Sequence, residues 1–411
     1  MIDPPARTRT DIRLLFTTRI LRLFCYGFLS VVLALYLAQA GLKETQIGLL
    51  FTLTLAGDAG ISLWLTTSAD RFGRRRTLII GALLMAGAGV VFIFTRSPLL
   101  LMMAAIIGVI SPSGNEIGPF LPVEQAGLSQ LLHGSRRTQV FAWYNLGGSF
   151  ATASGALCGG WLSQYLQHAG MLPIDSYRFV LAGYALGGIA LASLFLFLTA
   201  AIEVPQAISS PEGKRTLGLH NSKGVVLRLS SLFALDAFGG GLVVQSMVAY
   251  WFHLRFGVQA GVIGTIFFGA NVLAGISALL SGRLAARIGL INTMVFTHIP
   301  SNLLLMLVPL MPCLPLAIAV LLARFSISQM DVPARQSYTM AVVAPDERSA
   351  ASGVTGIARS VGAAISPLLT GVFLSIPALL SAPFFLAGGL KIVYDLLLYR
   401  NFQRVKPPEE V

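Results

Sequence analysis

Roughly a dozen apolar stretches fill this chain, each about 20 residues long, which is the length a helix needs to cross a bilayer. Nothing else in the sequence constrains the fold as strongly. A soluble domain carries about 25% charged residues. Here only 11% of 411 residues are charged and 55% are hydrophobic. Too little polar surface remains for a soluble fold. The sequence predicts an all-α membrane protein with twelve transmembrane helices, near 16–38, 46–67, 77–95, 98–121, 139–165 and 179–200, then 229–253, 261–282, 290–311, 314–339, 349–373 and 380–399. The 42 glycines, many inside apolar runs, suit close helix packing in lipid.

A net charge of +12 would suit nucleic acid, but the location of the charges argues for another cause. Lys and Arg gather in alternate inter-span segments: Arg71 to Arg76, Arg136 and Arg137, Lys214 and Arg215, Arg283 and Arg287, and Arg400 to Lys406. The intervening segments are nearly bare, with Lys43, Arg96, Arg178 and Arg255. This is the positive-inside bias. It predicts an even number of spans, both termini in the cytoplasm, membrane lipid as a partner and no nucleic-acid partner. The expected location is a bacterial plasma (inner) membrane. The N-terminus, with Pro4-Pro5 and several Arg, lacks a small-residue cleavage site after a short apolar core, so no cleaved signal peptide is expected. Cys25, Cys158 and Cys313 have no metal-ligand spacing and read as packing residues.

The longest polar stretch, 203–226, carries Pro205, Ser209, Ser210, Pro211, Lys214 and Arg215. It divides the chain into an N-terminal six-helix bundle (1–200), a cytoplasmic linker (201–228) and a C-terminal six-helix bundle (229–411). The halves repeat. Pro122-Val123-Glu124-Gln125-Ala126 lines up with Pro333-Ala334-Arg335-Gln336-Ser337, and the same register sets Gly160 on Gly371. A nearby register sets Asp70-Arg71-Phe72-Gly73 on Ala286-Arg287-Ile288-Gly289. The shared order of these matches makes the two bundles pseudo-symmetric copies in parallel.

The segment from Thr66 to Arg75 resembles the Gly-x-x-x-Asp-Arg-x-Gly-Arg-Arg loop signature of the major facilitator superfamily, between the second and third spans. Thr66 stands where the first Gly belongs, and the second copy has Ala286 in place of the acid. The resemblance extends over the whole chain through length, span count, linker and repeat. It implies a secondary transporter, working by alternating access, in which Asp70 and the basic cluster latch the halves on the cytoplasmic side. Independently, Gly73 permits a tight turn, and Arg74 to Arg76 suit a loop at anionic lipid. In the fifth span Gly147, Gly148, Gly155, Gly159 and Gly160 resemble the glycine pattern of antiporters in that superfamily, without its proline. A small-residue packing face is the alternative.

Ionisable groups inside spans are costly and face a cavity or a partner. The fourth span holds Asn115 and Glu116, flanked by Pro112, Gly114, Gly118, Pro119 and Pro122. The tenth holds Arg324, Asp331 and Arg335, within roughly 40° of one another on a regular helix. The seventh holds Asp236 and Gln245, and the first Arg19, Arg22 and Tyr26. The resemblance implies that these four spans line the central cavity. Arg19, Arg22, Asp236, Glu124 and Arg335 lie toward cytoplasmic ends, where snorkelling or a structural ion pair competes with a cavity role. Asp58 in the second span and Arg359 in the eleventh sit at similar depth, on spans that pack together across the halves in the implied fold. They are expected to form a gating ion pair, beside Asp70, Arg71, Gly73 and Arg74.

No enzyme constellation, metal-ligand set, cofactor motif or Walker-type phosphate loop emerges. The expected function is proton-coupled efflux of a small organic or drug-like solute by a monomeric antiporter, with embedded carboxylates as the proton sites. An importer or uniporter of an organic anion is the first alternative, and a lipid flippase the second.

Overall fold

The computed structural model describes residues 6–116, 118–132, 137–203, 222–344 and 347–403; within these, the side chains at 6–8, 66–68, 70–71, 137–139, 142 and 349 lie outside the description. The described chain is helical, with no strand among the described residues. The twelve expected spans map onto eight continuous helices and four interrupted pairs. The continuous ones are α3 (Glu44–Phe72), α4 (Arg74–Phe94), α7 (Arg137–His168), α8 (Pro173–Leu196), α11 (Ala260–Ile288), α12 (Leu290–Leu307), α15 (Arg348–Leu374) and α16 (Ala382–Phe402). The pairs are α1 (Ala6–Ser30) with α2 (Leu33–Gln39), α5 (Pro98–Ile107) with α6 (Phe120–Leu131), α9 (Lys223–Gly241) with α10 (Gln245–Phe256), and α13 (Leu314–Phe325) with α14 (Asp331–Ala341).

The interrupted spans are the first, fourth, seventh and tenth, the four that carry most of the embedded charges. By length and hydropathy eight segments of the described chain qualify as membrane spans, and a ninth if the first pair, bent by 43°, counts as one. The fourth and tenth do not qualify because their apolar parts are short, at 10 and 12 residues. The long α7 is studded with Asn145, Ser149, Thr152, Ser154, Ser163 and Gln164. Large apolar side chains such as Phe94 (82% exposed) and Phe197 (71%) lie on the outside, as lipid-facing surface requires.

The break in the fourth span shows how irregular backbone is tolerated. Gly114 and Gly118 adopt φ of +69° and +78°, which favours glycine, and Pro112 and Pro119 have no N–H to give a helix. The freed groups find partners. The Val109 carbonyl accepts from the Tyr184 hydroxyl. The Pro112 carbonyl accepts from the Ser246 amide at 2.9 Å, the Gly114 carbonyl from Thr152 at 3.3 Å and the Asn115 carbonyl from Ser111 at 2.8 Å. The Gly118 amide donates to Asp58 at 2.6 Å. The helix resumes at Phe120 and continues to Leu131, ten residues past the expected end at 121.

The chain forms two compact units: Met1–Ser210 with Gln245–Phe268, and Pro211–Val244 with Gly269–Val411. The first unit therefore includes α10 and the start of α11, which sequence order assigns to the second half. Hydrogen bonds account for this. Gln245 donates to the Ser30 hydroxyl at 2.7 Å, Tyr250 to Glu44 at 3.1 Å, the Gly261 amide to Gln164 at 2.9 Å and Trp161 to Thr265 at 3.0 Å.

In the first unit α1 packs on α7 and α4 on α8; in the second, α9 packs on α15 and α12 on α16. The same helix pairs recur in the two copies of the repeat. The glycines of α7 belong to this packing. A Cβ on Gly155 would sit 2.0 Å from the Phe24 carbonyl oxygen, one on Gly159 would sit 2.1 Å from that of Phe28, and one on Gly160 would sit 2.4 Å from that of Ala260. Of the cysteines, Cys25 is buried against Gly187, while Cys158 and Cys313 are exposed.

Candidate functional site

In the first unit Arg19 and Arg22 lie three residues apart on α1, hence on one face. Arg22 is fully buried. It grips Glu124 of α6 through two bonds of 2.7 Å and Glu116, in the break, at 3.2 and 3.1 Å. The planar guanidinium suits this fork geometry. Arg19 lies 2.8 Å from Glu116 as an ion pair, donates to Asn145 at 3.1 Å and stacks over the Tyr144 ring. Tyr144 and Thr18 donate to Glu124 at 2.5 and 3.2 Å. Two guanidiniums thus meet two carboxylates. The Glu124 side chain is 0% exposed and the Glu116 side chain 15%, so Glu116 is the less enclosed acid of this set.

Asp58 accepts from Gly118 and, at 3.2 Å, from Ser62. No cation pairs with it among the described residues. Tyr26 is buried beside Tyr184, with ring centroids 6.5 Å apart. Asn115 is exposed in the break. Gln245 bonds to Ser30.

In the second unit Asp236 of α9 is the hub. Lys391 of α16 reaches it at 2.6 Å, Arg359 of α15 at 3.0 Å and Arg335 of α14 at 3.1 Å. Arg335 also holds Asp331, four residues before it, at 3.1 Å. His298 of α12 lies 3.8 Å from Asp236 through Nε2 and 2.8 Å from Asp395 through Nδ1. Asn302 donates to Asp395 at 3.4 Å. Arg324 sits apart, over the Phe325 ring. Asp58 and Arg359, expected as a gating pair, each take partners inside their own unit.

Gly73 joins α3 to α4 with φ +97°, and Gly289, its counterpart in the repeat, joins α11 to α12 with φ +84°. The side chains of Asp70 and Arg71 lie outside the described residues. Arg74 donates to Gln130 and to the Ile202 carbonyl, both at 2.9 Å. The amides of Arg74 and Arg75 donate to Glu203 at 2.7 and 3.1 Å. Glu203 thus caps the start of α4, as a carboxylate at a helix N-terminus does. A recess of about 670 Å³, lined in part by Ser281, Gly289 and Pro333, opens beside the second signature copy. None of the charged hub residues lines it, so the chemistry belongs to the ion clusters.

Lys391, Asp395, His298 and Glu203 are not singled out by the sequence reading. For the first two a signal existed: a Lys and an Asp four residues apart inside an apolar span.

Residues 15–367 match the family model of the Major Facilitator Superfamily. The chain belongs to that superfamily. A Saccharomyces cerevisiae relative, the uncharacterized membrane protein YJR124C, is 30% identical, over 94% of this chain and 93% of its own. Among solved structures of the superfamily fold, the nucleoside transporter NupG matches with a TM-score of 0.77 at 13% identity, covering 95% of this chain and 99% of its own. A bacterial homologue of the human lysosomal transporter Spinster matches with a TM-score of 0.72 at 17% identity, covering 97% and 96%. This superfamily member is a multi-pass integral membrane protein and a transporter.

Proposed function

We propose that this chain is a proton-coupled secondary transporter of a small organic solute, in which Glu116 carries the coupled proton. One observation supports this reading above the others. Glu116 sits in the broken fourth span, is the less enclosed of the two acids there, and two arginines on a single face of α1 hold it. A proton placed on Glu116 cancels the charge that Arg19 and Arg22 grip, so it loosens the contact between α1 and the break. A solute that draws on the same arginines competes with that contact. Proton and solute are then linked through one set of side chains, which is what coupling requires. The α7 glycines, which an antiporter pattern would claim, are accounted for by helix packing, so the proposal rests on the ion cluster.

The test is reconstitution in proteoliposomes loaded with a pH-sensitive dye, scanning candidate solutes for solute-dependent proton flux. Glu116→Gln keeps the carbonyl oxygen as an acceptor for the arginines and removes the proton site. It should abolish proton flux while solute counterflow persists. Undiminished proton flux in that variant would remove Glu116 from the mechanism.

The charge distribution supports a cytoplasmic location for both termini. An Arg215→Cys variant in a cysteine-free background should then react with a membrane-impermeant maleimide only after the membrane is opened. Labelling in sealed cells would reverse the orientation.

A further inference from the structure

Arg324 is unlike the cations of the second unit's hub. Arg335, Arg359 and Lys391 each touch an acid within about 3 Å. The Arg324 guanidinium makes no hydrogen bond or ion pair among the described residues, and its Nε is buried without an acceptor. The chain offers it only the Phe325 ring, 4.8 Å from the centroid. Asp331 is near enough to act on it electrostatically, but Asp331 is already held by Arg335. The hub's own formal charges balance in number, Arg335, Arg359 and Lys391 against Asp236, Asp331 and Asp395, and Arg324 lies apart from them as a fourth cation. An uncompensated guanidinium inside a span is costly. It is placed on the last turn of α13, directly before the break at Ser326–Met330, and irregular backbone is tolerated in a membrane where it lines a polar cavity.

We propose that Arg324 anchors an oxyanion of the transported solute, a carboxylate or a phosphate. The guanidinium fork presents parallel N–H donors that match two oxygens of either group. Bound there, one negative charge compensates the Arg324 guanidinium and gives the buried Nε its acceptor. This deepens the transport reading above and rests on it: it names the class of solute, while Glu116 in the first unit answers for the proton.

The full-length protein in detergent is treated with phenylglyoxal, which modifies free guanidinium groups, and the Arg324 peptide is followed by mass spectrometry. The probes are benzoate, phenylphosphate and the neutral benzamide. Arg324 should react faster than the paired Arg22 and Arg335. One of the two oxyanions should slow its modification several-fold, and which one does so tells carboxylate from phosphate; benzamide should not. The same oxyanion should raise the unfolding midpoint of the wild-type protein. Arg324→Gln should lose that shift, and Arg324→Lys should keep part of it. Modification that neither oxyanion slows, or that benzamide slows equally, overturns the site. So does a midpoint shift that survives in Arg324→Gln. The labelling arm uses wild-type protein and stands even if the variants fail to fold. Proton flux lost in Glu116→Gln without oxyanion protection at Arg324 would overturn the site and leave the coupling. Oxyanion protection with undiminished flux in Glu116→Gln would do the reverse.

Discussion

Replacing Arg22 with Met should cost the first unit about 3–5 kcal/mol, the range for breaking a buried ion pair by removing one partner. Arg22 is fully buried and makes four bonds of 2.7–3.2 Å to two carboxylates. Without it Glu116 keeps Arg19. Glu124, at 0% exposure, keeps only the hydroxyls of Tyr144 and Thr18. Two neutral donors do not repay the desolvation of a carboxylate. The thermal unfolding midpoint of purified protein should fall steeply, and the yield of monodisperse protein with it. Arg22→Lys should rescue little, because a lysine is a point charge and cannot fork onto Glu124 while reaching Glu116. Arg22→Met combined with Glu124→Gln should recover much of the loss, since it removes the orphaned charge as well as its partner. Strictly additive single and double variants would show that the two side chains do not stabilise each other. Glu116→Gln should be milder than either, because Glu116 is partly exposed and glutamine still accepts from the arginines.

The fold was legible in the sequence because apolar run length and charge asymmetry answer directly to the bilayer. The parts that were not legible turn on helix breaks. Glu124 reads as an interfacial group if the fourth span ends at 121; the helix runs on to Leu131, and Glu124 is inside. Arg324, Asp331 and Arg335 share a stripe only on a continuous helix. The break at Ser326–Met330 leaves Arg335 with Asp331, on the same α14, and strands Arg324. Depth counted from helix ends sets Asp58 and Arg359 level with each other. Depth does not fix facing, and Arg359 turns to Asp236. Lys391, Asp395 and His298 lie on the ninth and twelfth spans, which the family resemblance does not place on the cavity. Their chemistry is visible only once α12 and α16 are packed together.

That packing makes Asp236 the position where one substitution should do the most damage. Its carboxylate is shared by Lys391, Arg359 and Arg335, so Asp236→Asn leaves three cations with only Asp331 and Asp395 as acids in the hub. Losing a single buried partner costs about 3–5 kcal/mol, and here like charges are also left facing one another. The expected result is a second unit that no longer folds stably, read as loss of the cooperative unfolding transition. The exposures of the three cations predict which second change repairs it. Lys391 makes the shortest contact, and its side chain is 10% exposed, against 35% for Arg359. Arg359 is the more open of the two cations and Lys391 the more enclosed. Asp236→Asn with Lys391→Met should therefore recover more stability than Asp236→Asn with Arg359→Gln. Arg335 keeps Asp331 in both double variants and should contribute least to the difference. Equal recovery in the two double variants would mean that the hub is open to water throughout. A greater recovery with Arg359→Gln would place the dry side of the hub at α15 rather than α16.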